Sequence, residues 1–513
     1  MRALLLSAAA LAACQTASAP PPEPVAARDL SAVGIARGDV PAAAAVRTLE
    51  DERRRFDWAL RSVIAANPDA AAEAAAADAA RAGGDTRPLL GVPILIKDNV
   101  ETRELPTTAG SLALAANDTG RDAPAVARLR AAGAIVLGKT NLSEWANFRD
   151  EASISGWSAV AGQTRNPHDL ARSPCGSSSG SGAAVAAGLA PVALGTETNG
   201  SVICPAAANG IVGFKPTVGL VSRARVVPIS ATQDTIGPMA RSVADAALVL
   251  SVMASEDAGD PATQDPARRP VPAALPPGAL AGARVGVLRF AVGDDPEVAA
   301  AFETALATLE VAGATLVEIG DWSPYEGLGD DEFLVLKAEF KTGLNAYLAD
   351  AAPAVTVRSL SDLIAFNEAN ADREMPHFGQ DILTASQETG GTDDPAYREA
   401  LPRLLRGTRE EGIERLLAEA EADVLVAPSL RPAFLIDPVH GDDYRGGVGL
   451  GWLAAIAGTP HLTVPMGEAG GLPVGLSVLG AAWDDARVLA IGADYEAARG
   501  PLPVVPVLGE AAR

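Results

Sequence analysis

Short unbroken apolar runs alternate along this chain with stretches in which apolar residues recur every three or four positions. From about Asp29 to Ala82 the spacing is helical, with Leu49, Phe56, Leu60 and Ile64 in phase before an alanine-rich run. Residues 91–96 form a branched apolar run that predicts a buried strand, closed by Lys97-Asp98-Asn99. A helix is predicted over 123–132, a second buried strand over 134–138, a helix over 183–189 and a short strand over 192–194. The same alternation resumes with a strand at 283–288 and a helix at 300–312, and apolar runs return at 424–428 and 461–465. Continuous apolar strands alternating with helices predict an α/β layered core.

Between these runs, residues 256–282 are rich in Pro, Ala and Asp and read as an exposed connection. From 359 to 412 charged helices dominate, interrupted by the turn Gly390-Gly391-Thr392-Asp393-Asp394. Core strands at both ends of the sequence predict one large domain over 29–513, with a helical insertion around 325–415. No internal repeat is visible.

The N-terminus reads as an export signal. Arg2 supplies the positive region and residues 3–13 an apolar stretch too short for a permanent membrane span. It ends in Leu11-Ala12-Ala13-Cys14, which resembles the bacterial lipobox. This implies a signal peptide over 1–13, lipidation at Cys14 and a proline-rich tether over 14–28. A rival cleavage after Ala17-Ser18-Ala19 would leave Pro20 first. With Gln15 next to the lipid site, the expectation is a periplasm-facing lipoprotein of the outer membrane, touching the membrane only through its lipid. A misassigned start would instead make the protein cytoplasmic.

Composition narrows the chemistry. Hydrophobic residues make up 48% of the 513, ample for a packed core, and the net charge of −23 argues against nucleic-acid binding. Lysine is scarce among the 41 basic residues: Lys97, Lys139, Lys215, Lys337 and Lys341. Where a chain otherwise uses arginine, a lysine offers one property arginine lacks, a neutral amine within reach. His168, His377, His440 and His461 are isolated, so neither a catalytic zinc nor another cofactor is expected. Cys175 and Cys204 are no disulfide framework. One bridge is conceivable, but packed free thiols are the expected state.

Hydroxyls crowd two glycine-rich clusters, Gly176-Ser177-Ser178-Ser179-Gly180-Ser181-Gly182 and Gly195-Thr196-Glu197-Thr198-Asn199-Gly200-Ser201. Three chemistries compete for them. Gly176-Ser177-Ser178-Ser179-Gly180 fits the nucleophile elbow with Ser178 attacking, but Pro174 spoils the strand that motif requires. A phosphate loop lacks its Lys-Ser/Thr ending. The third is a serine nucleophile served by a buried neutral lysine, and Lys97 closes a wholly apolar strand.

These clusters, with Gly91-Val92-Pro93-Ile94-Leu95-Ile96-Lys97-Asp98-Asn99, Gly138-Lys139-Thr140-Asn141, Gly213-Phe214-Lys215-Pro216-Thr217 and Asp234-Thr235-Ile236-Gly237-Pro238, resemble the amidase signature family over nearly the whole chain. The resemblance implies a single α/β/α layered domain with a central mixed β-sheet covered by helices. It further implies a Ser-cisSer-Lys triad with Ser201 as nucleophile, Ser177 as bridging serine across a cis Gly176–Ser177 peptide, and Lys97 as base. Backbone N–H groups at Thr198, Asn199 and Gly200 would hold the oxyanion, and Asn147 would contact substrate. Asn199 stands where many members carry Gly or Asp, and the arginine often found two residues after the nucleophile is absent. With Cys175, this resembles the peptide amidase branch, which implies a peptide or small-molecule amide as substrate. An acylamidase or esterase, an amidotransferase subunit and a non-catalytic ligand-binding lipoprotein are the rival readings.

Overall fold

The computed structural model describes residues 26–444 and 447–502, so the predicted signal peptide, Cys14 and most of the tether lie outside the described residues. The first strands are β1 (Val63–Ala66), β2 (Pro93–Lys97) and β3 (Ile135–Thr140). A small hairpin of β4 (Trp157–Ser158) and β5 (Gly162–Gln163) stands apart. Then come β6 (Val192–Glu197), β7 (Val212–Lys215), β8 (Thr235–Ala240), β9 (Arg284–Leu288) and β10 (Thr315–Ile319). β11 (Val424–Pro428), β12 (His461–Ala469) and β13 (Leu472–Leu479) complete the set.

Eleven of these strands form one mixed sheet in the order β1-β3-β2-β6-β8-β7-β12-β13-β11-β9-β10. Parallel pairs sit toward the two ends, β3 with β2 and β2 with β6 on one side, β11 with β9 and β9 with β10 on the other. Antiparallel pairs join them through the middle. Both faces of the central strands are covered, so β2, β3, β6 and β8 are buried at every position. That is why β2, β3 and β6 read as continuous apolar runs rather than alternating ones. Among the described residues no helix is long and apolar enough to cross a membrane.

Several expectations shift. The helical reading of residues 29–82 breaks at Leu60, and Ile64 lies in β1 instead. Asp57 causes the break: its carboxylate accepts from the N–H and hydroxyl of Ser62 and from the N–H of Val63. These bonds turn the chain out of the helix, with Arg61 left-handed at φ 53°, to pair antiparallel with β3. Helix Pro296–Val311 starts before residue 300 because the Asp295 carboxylate caps its first N–H groups. The apolar-pattern reading marked no strand at β7, β8, β10 or β13. Between β10 and β11 the chain forms helices, of which Leu328–Ala349 is the longest. Phe340, Leu344 and Leu348 from it pack with Trp145 and Phe148 in a second apolar cluster, which seats that helix beside the sheet edge where β2 and β6 end.

Candidate active site

β2 and β6 are parallel neighbours, in register from Ile94 opposite Val192 to Ile96 opposite Leu194. Their carboxyl ends therefore open at one edge, where open α/β sheets place their ligand sites. Lys97 is the last residue of β2. The chain leaving β6 turns through Thr198, Asn199 and Gly200 into Ser201, and helix Ile203–Ala208 follows. Ser177 arrives from a third segment, just before helix Ser179–Ala186.

Lys97 Nζ lies 2.8 Å from Ser177 Oγ, 2.8 Å from Thr196 Oγ1 and 3.2 Å from the Thr196 carbonyl. Asn99 Nδ2 donates to the same Thr196 hydroxyl at 2.9 Å. Lys97 and Ser177 are fully enclosed, whereas Ser201 keeps 9% of its surface exposed. Burial pulls the Lys97 pKa from 10.5 down to about 7, against the pull of the Asp234 and Glu197 carboxylates. A neutral amine, able to accept a proton, is thus accessible near neutral pH.

The serine-rich loop is compact for a steric reason. A Cβ on Gly176 would collide with the hydroxyls of Ser143, Ser155 and Ser179. The Gly176–Ser177 peptide is cis, and the N–H of Ser143 holds the Ser177 carbonyl at 3.1 Å. The N–H of Ser178 donates to the Ser201 carbonyl at 3.1 Å, which joins the two clusters directly. The Ser178 hydroxyl is committed elsewhere: it donates to the Thr196 carbonyl and accepts the Thr196 N–H. Ser181 likewise donates to the Leu194 carbonyl. Both hydroxyls stitch the helix to β6, so the elbow-like pattern around Ser178 serves structure.

Cys175 and Cys204 are not free thiols; they form a disulfide with Cα atoms 5.8 Å apart. The expectation of packed thiols fails because the two clusters converge. Ser177 and Ser201 meet through the Ser178 bond, and that brings the flanking cysteines within bridging distance.

The turn after β6 is held by carboxylates. Thr198 Oγ1 donates to Asp234 at 2.5 Å, and Asp234 also accepts the N–H groups of Ile229 and Ser230. Asn199 Nδ2 donates to Glu332 at 2.7 Å. Gln233 Nε2 reaches both the Thr198 carbonyl and Glu332, at 3.3 Å each. Burial raises the pKa of Asp234 and of Glu332, and these donated bonds pull each back. Gly200 has φ 83°, which favours glycine. Among the described residues no protein acceptor takes the N–H of Asn199, Gly200 or Ser201. Glu197 Oε2 accepts the N–H groups of Val202 and Ile203 at 2.8 and 3.0 Å, fixing the chain just past Ser201.

Asn147 sits in a left-handed run with Trp145 and Ala146, its amide against the Asp442 carboxylate and its Oδ1 buried without a protein partner. Thr196, Gln233 and Glu332 are contacts that sequence reasoning did not single out. Thr196 lay within a quoted motif, whereas Glu332 carried no sequence signal. Among the described residues no three His, Cys, Asp or Glu side chains converge to hold a metal ion.

Comparison with known proteins gives a consistent picture. The family model described as Amidase matches residues 44–489. Native peptide amidase from Stenotrophomonas maltophilia superposes with a TM-score of 0.85 at 45% identity, covering 91% of this chain and 96% of that one. Peptide amidase PAM in complex with the competitive inhibitor chymostatin gives a TM-score of 0.86 at 45% identity, covering 91% and 97%. A probable amidase of Arabidopsis thaliana is 38% identical over 454 residues, 86% of this chain and 83% of that protein.

Proposed function

The chain belongs to the amidase family and is a hydrolase of amide C–N bonds, and on that premise we propose that it removes ammonia from the C-terminal amides of peptides through Ser201, Ser177 and Lys97. The observation that carries this reading is the sealed contact of Lys97 Nζ with Ser177 Oγ at 2.8 Å. Neutral Lys97 accepts the Ser177 proton while Ser177 takes the proton of Ser201. Ser201 Oγ then attacks the amide carbonyl. The oxyanion forms against the N–H groups of the turn 198–200, each good donor worth about 3–4 kcal/mol in the transition state. As the C–N bond breaks, Ser177 passes a proton to the nitrogen and ammonia leaves. Water adds to the Ser201 ester by the same relay in reverse, releasing the free carboxylate and regenerating the serine. Asn147 faces the substrate in this scheme. The likeness to peptide amidases supports a peptide amide over a small acyl substrate.

Ammonia release from a panel of peptide amides tests the assignment. Ser201→Ala is expected to lower kcat by about 10⁴-fold or more, and undiminished turnover in that variant removes the triad.

We further propose that the protein is exported and lipidated at Cys14. The disulfide between Cys175 and Cys204 supports this reading, because such bonds persist in oxidising compartments. Palmitate labelling is expected in cells making the full chain and absent from Cys14→Ser. Labelling that survives the substitution refutes the anchor.

A further inference from the structure

The turn 198–200 hangs from groups on two segments, and one of them lies far from it in sequence. Asp234 and Gln233 belong to the approach to β8 and hold the Thr198 hydroxyl and carbonyl. Glu332 belongs to helix Leu328–Ala349, 133 positions beyond Asn199. Its Oε1 accepts from Asn199 Nδ2 at 2.7 Å and from Gln233 Nε2 at 3.3 Å. A single carboxylate oxygen thus gathers the exposed residue of the turn and the buried glutamine that grips the turn's carbonyl. Both donors are amides, so the carboxylate has no cation to neutralise it within this cluster. The arrangement needs an amide at position 199: an aspartate there would set two carboxylates against one another.

We propose that Glu332 is a positioning residue for the reaction, acting through Asn199 and Gln233 to hold the N–H groups of the turn 198–200 on the developing oxyanion. The inference rests on the reading of Ser201 as nucleophile. It also makes the catalytic turn answerable to the seating of helix Leu328–Ala349, which the apolar cluster with Trp145 and Phe148 secures. Asn199 is the other half of a matched pair with Glu332.

Steady-state kinetics on a peptide amide, with exchanged partners, tests this. Asn199→Asp is expected to lower kcat by about 10- to 100-fold, short of the 10²–10³ that loss of an oxyanion donor costs, with KM changed less than about threefold. Glu332→Gln alone keeps an acceptor and loses less. The combined Asn199→Asp/Glu332→Gln variant restores the amide–carboxylate pair with its ends reversed, and its kcat should return to within about threefold of the parent. A purely structural role for Glu332 predicts no such rescue. A second cycle uses Asn199→Ala and Glu332→Ala: the double variant should be no worse than the poorer single one. Additive losses in that cycle, or a combined exchange no better than Asn199→Asp, overturn the positioning role. Melting curves on each variant confirm that folded protein is compared. A parent protein that releases no ammonia from any amide, and whose Ser201 resists a fluorophosphonate, overturns the nucleophile reading and this inference with it. An active parent with indifferent Glu332 variants overturns the inference alone.

Discussion

Two lysines on adjacent strands have the same burial and opposite circumstances. Lys97 ends β2, and Lys139 lies in β3 opposite Ile96, while Lys97 itself faces Thr140. One step apart in register, they project to opposite faces of the sheet. Both are wholly enclosed. Lys139 Nζ meets Asp98 Oδ1 at 2.8 Å and donates to Thr107 Oγ1 at 2.9 Å. Lys97 meets only hydroxyls and a carbonyl at hydrogen-bond distance. A carboxylate partner compensates an ammonium for lost water, whereas hydroxyls do so weakly, and the amine gives up its proton near neutral pH instead. The difference lies in the partner and not in the residue: one lysine is a strut and the other is the base of the proposed relay.

The largest expected effect comes from removing each amine in turn. Lys97→Met should reduce turnover by about 10²–10⁴-fold, yet leave urea stability unchanged or about 1–2 kcal/mol higher, because a poorly compensated buried group is gone. Lys139→Met should do the reverse, costing about 3–5 kcal/mol as Asp98 is left buried and unpaired, with kcat per folded molecule little altered. If both variants lose stability equally and activity equally, the distinction between the two lysines is wrong.

A smaller effect sharpens the base role through pH. In the proposed relay the active form of Lys97 is the neutral one, so kcat/KM should rise as pH climbs through about 7 and fall below it. Stability follows from the same shift. The folded pKa lies below the unfolded 10.5, so between about 7 and 10.5 the unfolded state binds more protons. Lys97 therefore makes stability increase with pH across that window and contributes no slope below it. Urea midpoints from pH 7 to 10 should rise more steeply in the parent protein than in Lys97→Met, which keeps only the slope of other groups such as buried Lys215, whose pKa is lowered to about 8.

The smallest effect belongs to Ser178, whose hydroxyl bonds the backbone of Thr196. Ser178→Ala forfeits neutral hydrogen bonds of about 1 kcal/mol each, so kcat should drop by less than about tenfold. A collapse like that of Ser201→Ala would reinstate it as the nucleophile.

Much of this was readable from local pattern. An apolar run such as residues 91–96 loses most by staying in water, so its burial follows from composition alone, whereas the lysine closing it could equally have reached into water. The apolar periodicity starts the helices at Ser179 and Pro296 about a turn too late, because their first turns are polar or capped by side chains that it skips. β1 was absorbed into a helix because Asp57 breaks the helix with bonds that no spacing rule reports.

What the amino-acid order determined by itself is the α/β layering, the crowding of hydroxyls among glycines, and a lysine delivered to the end of a buried strand. Only the tertiary structure decided what surrounds that lysine: Ser177 lies 80 positions away and Thr196 lies 99. It likewise joined Cys175 to Cys204 and set Glu332 against Asn199. Burial of an apolar strand is a property of its own residues, but a shifted pKa, a disulfide or a tethered turn depends on which distant groups arrive beside it, and chain spacing does not encode that proximity.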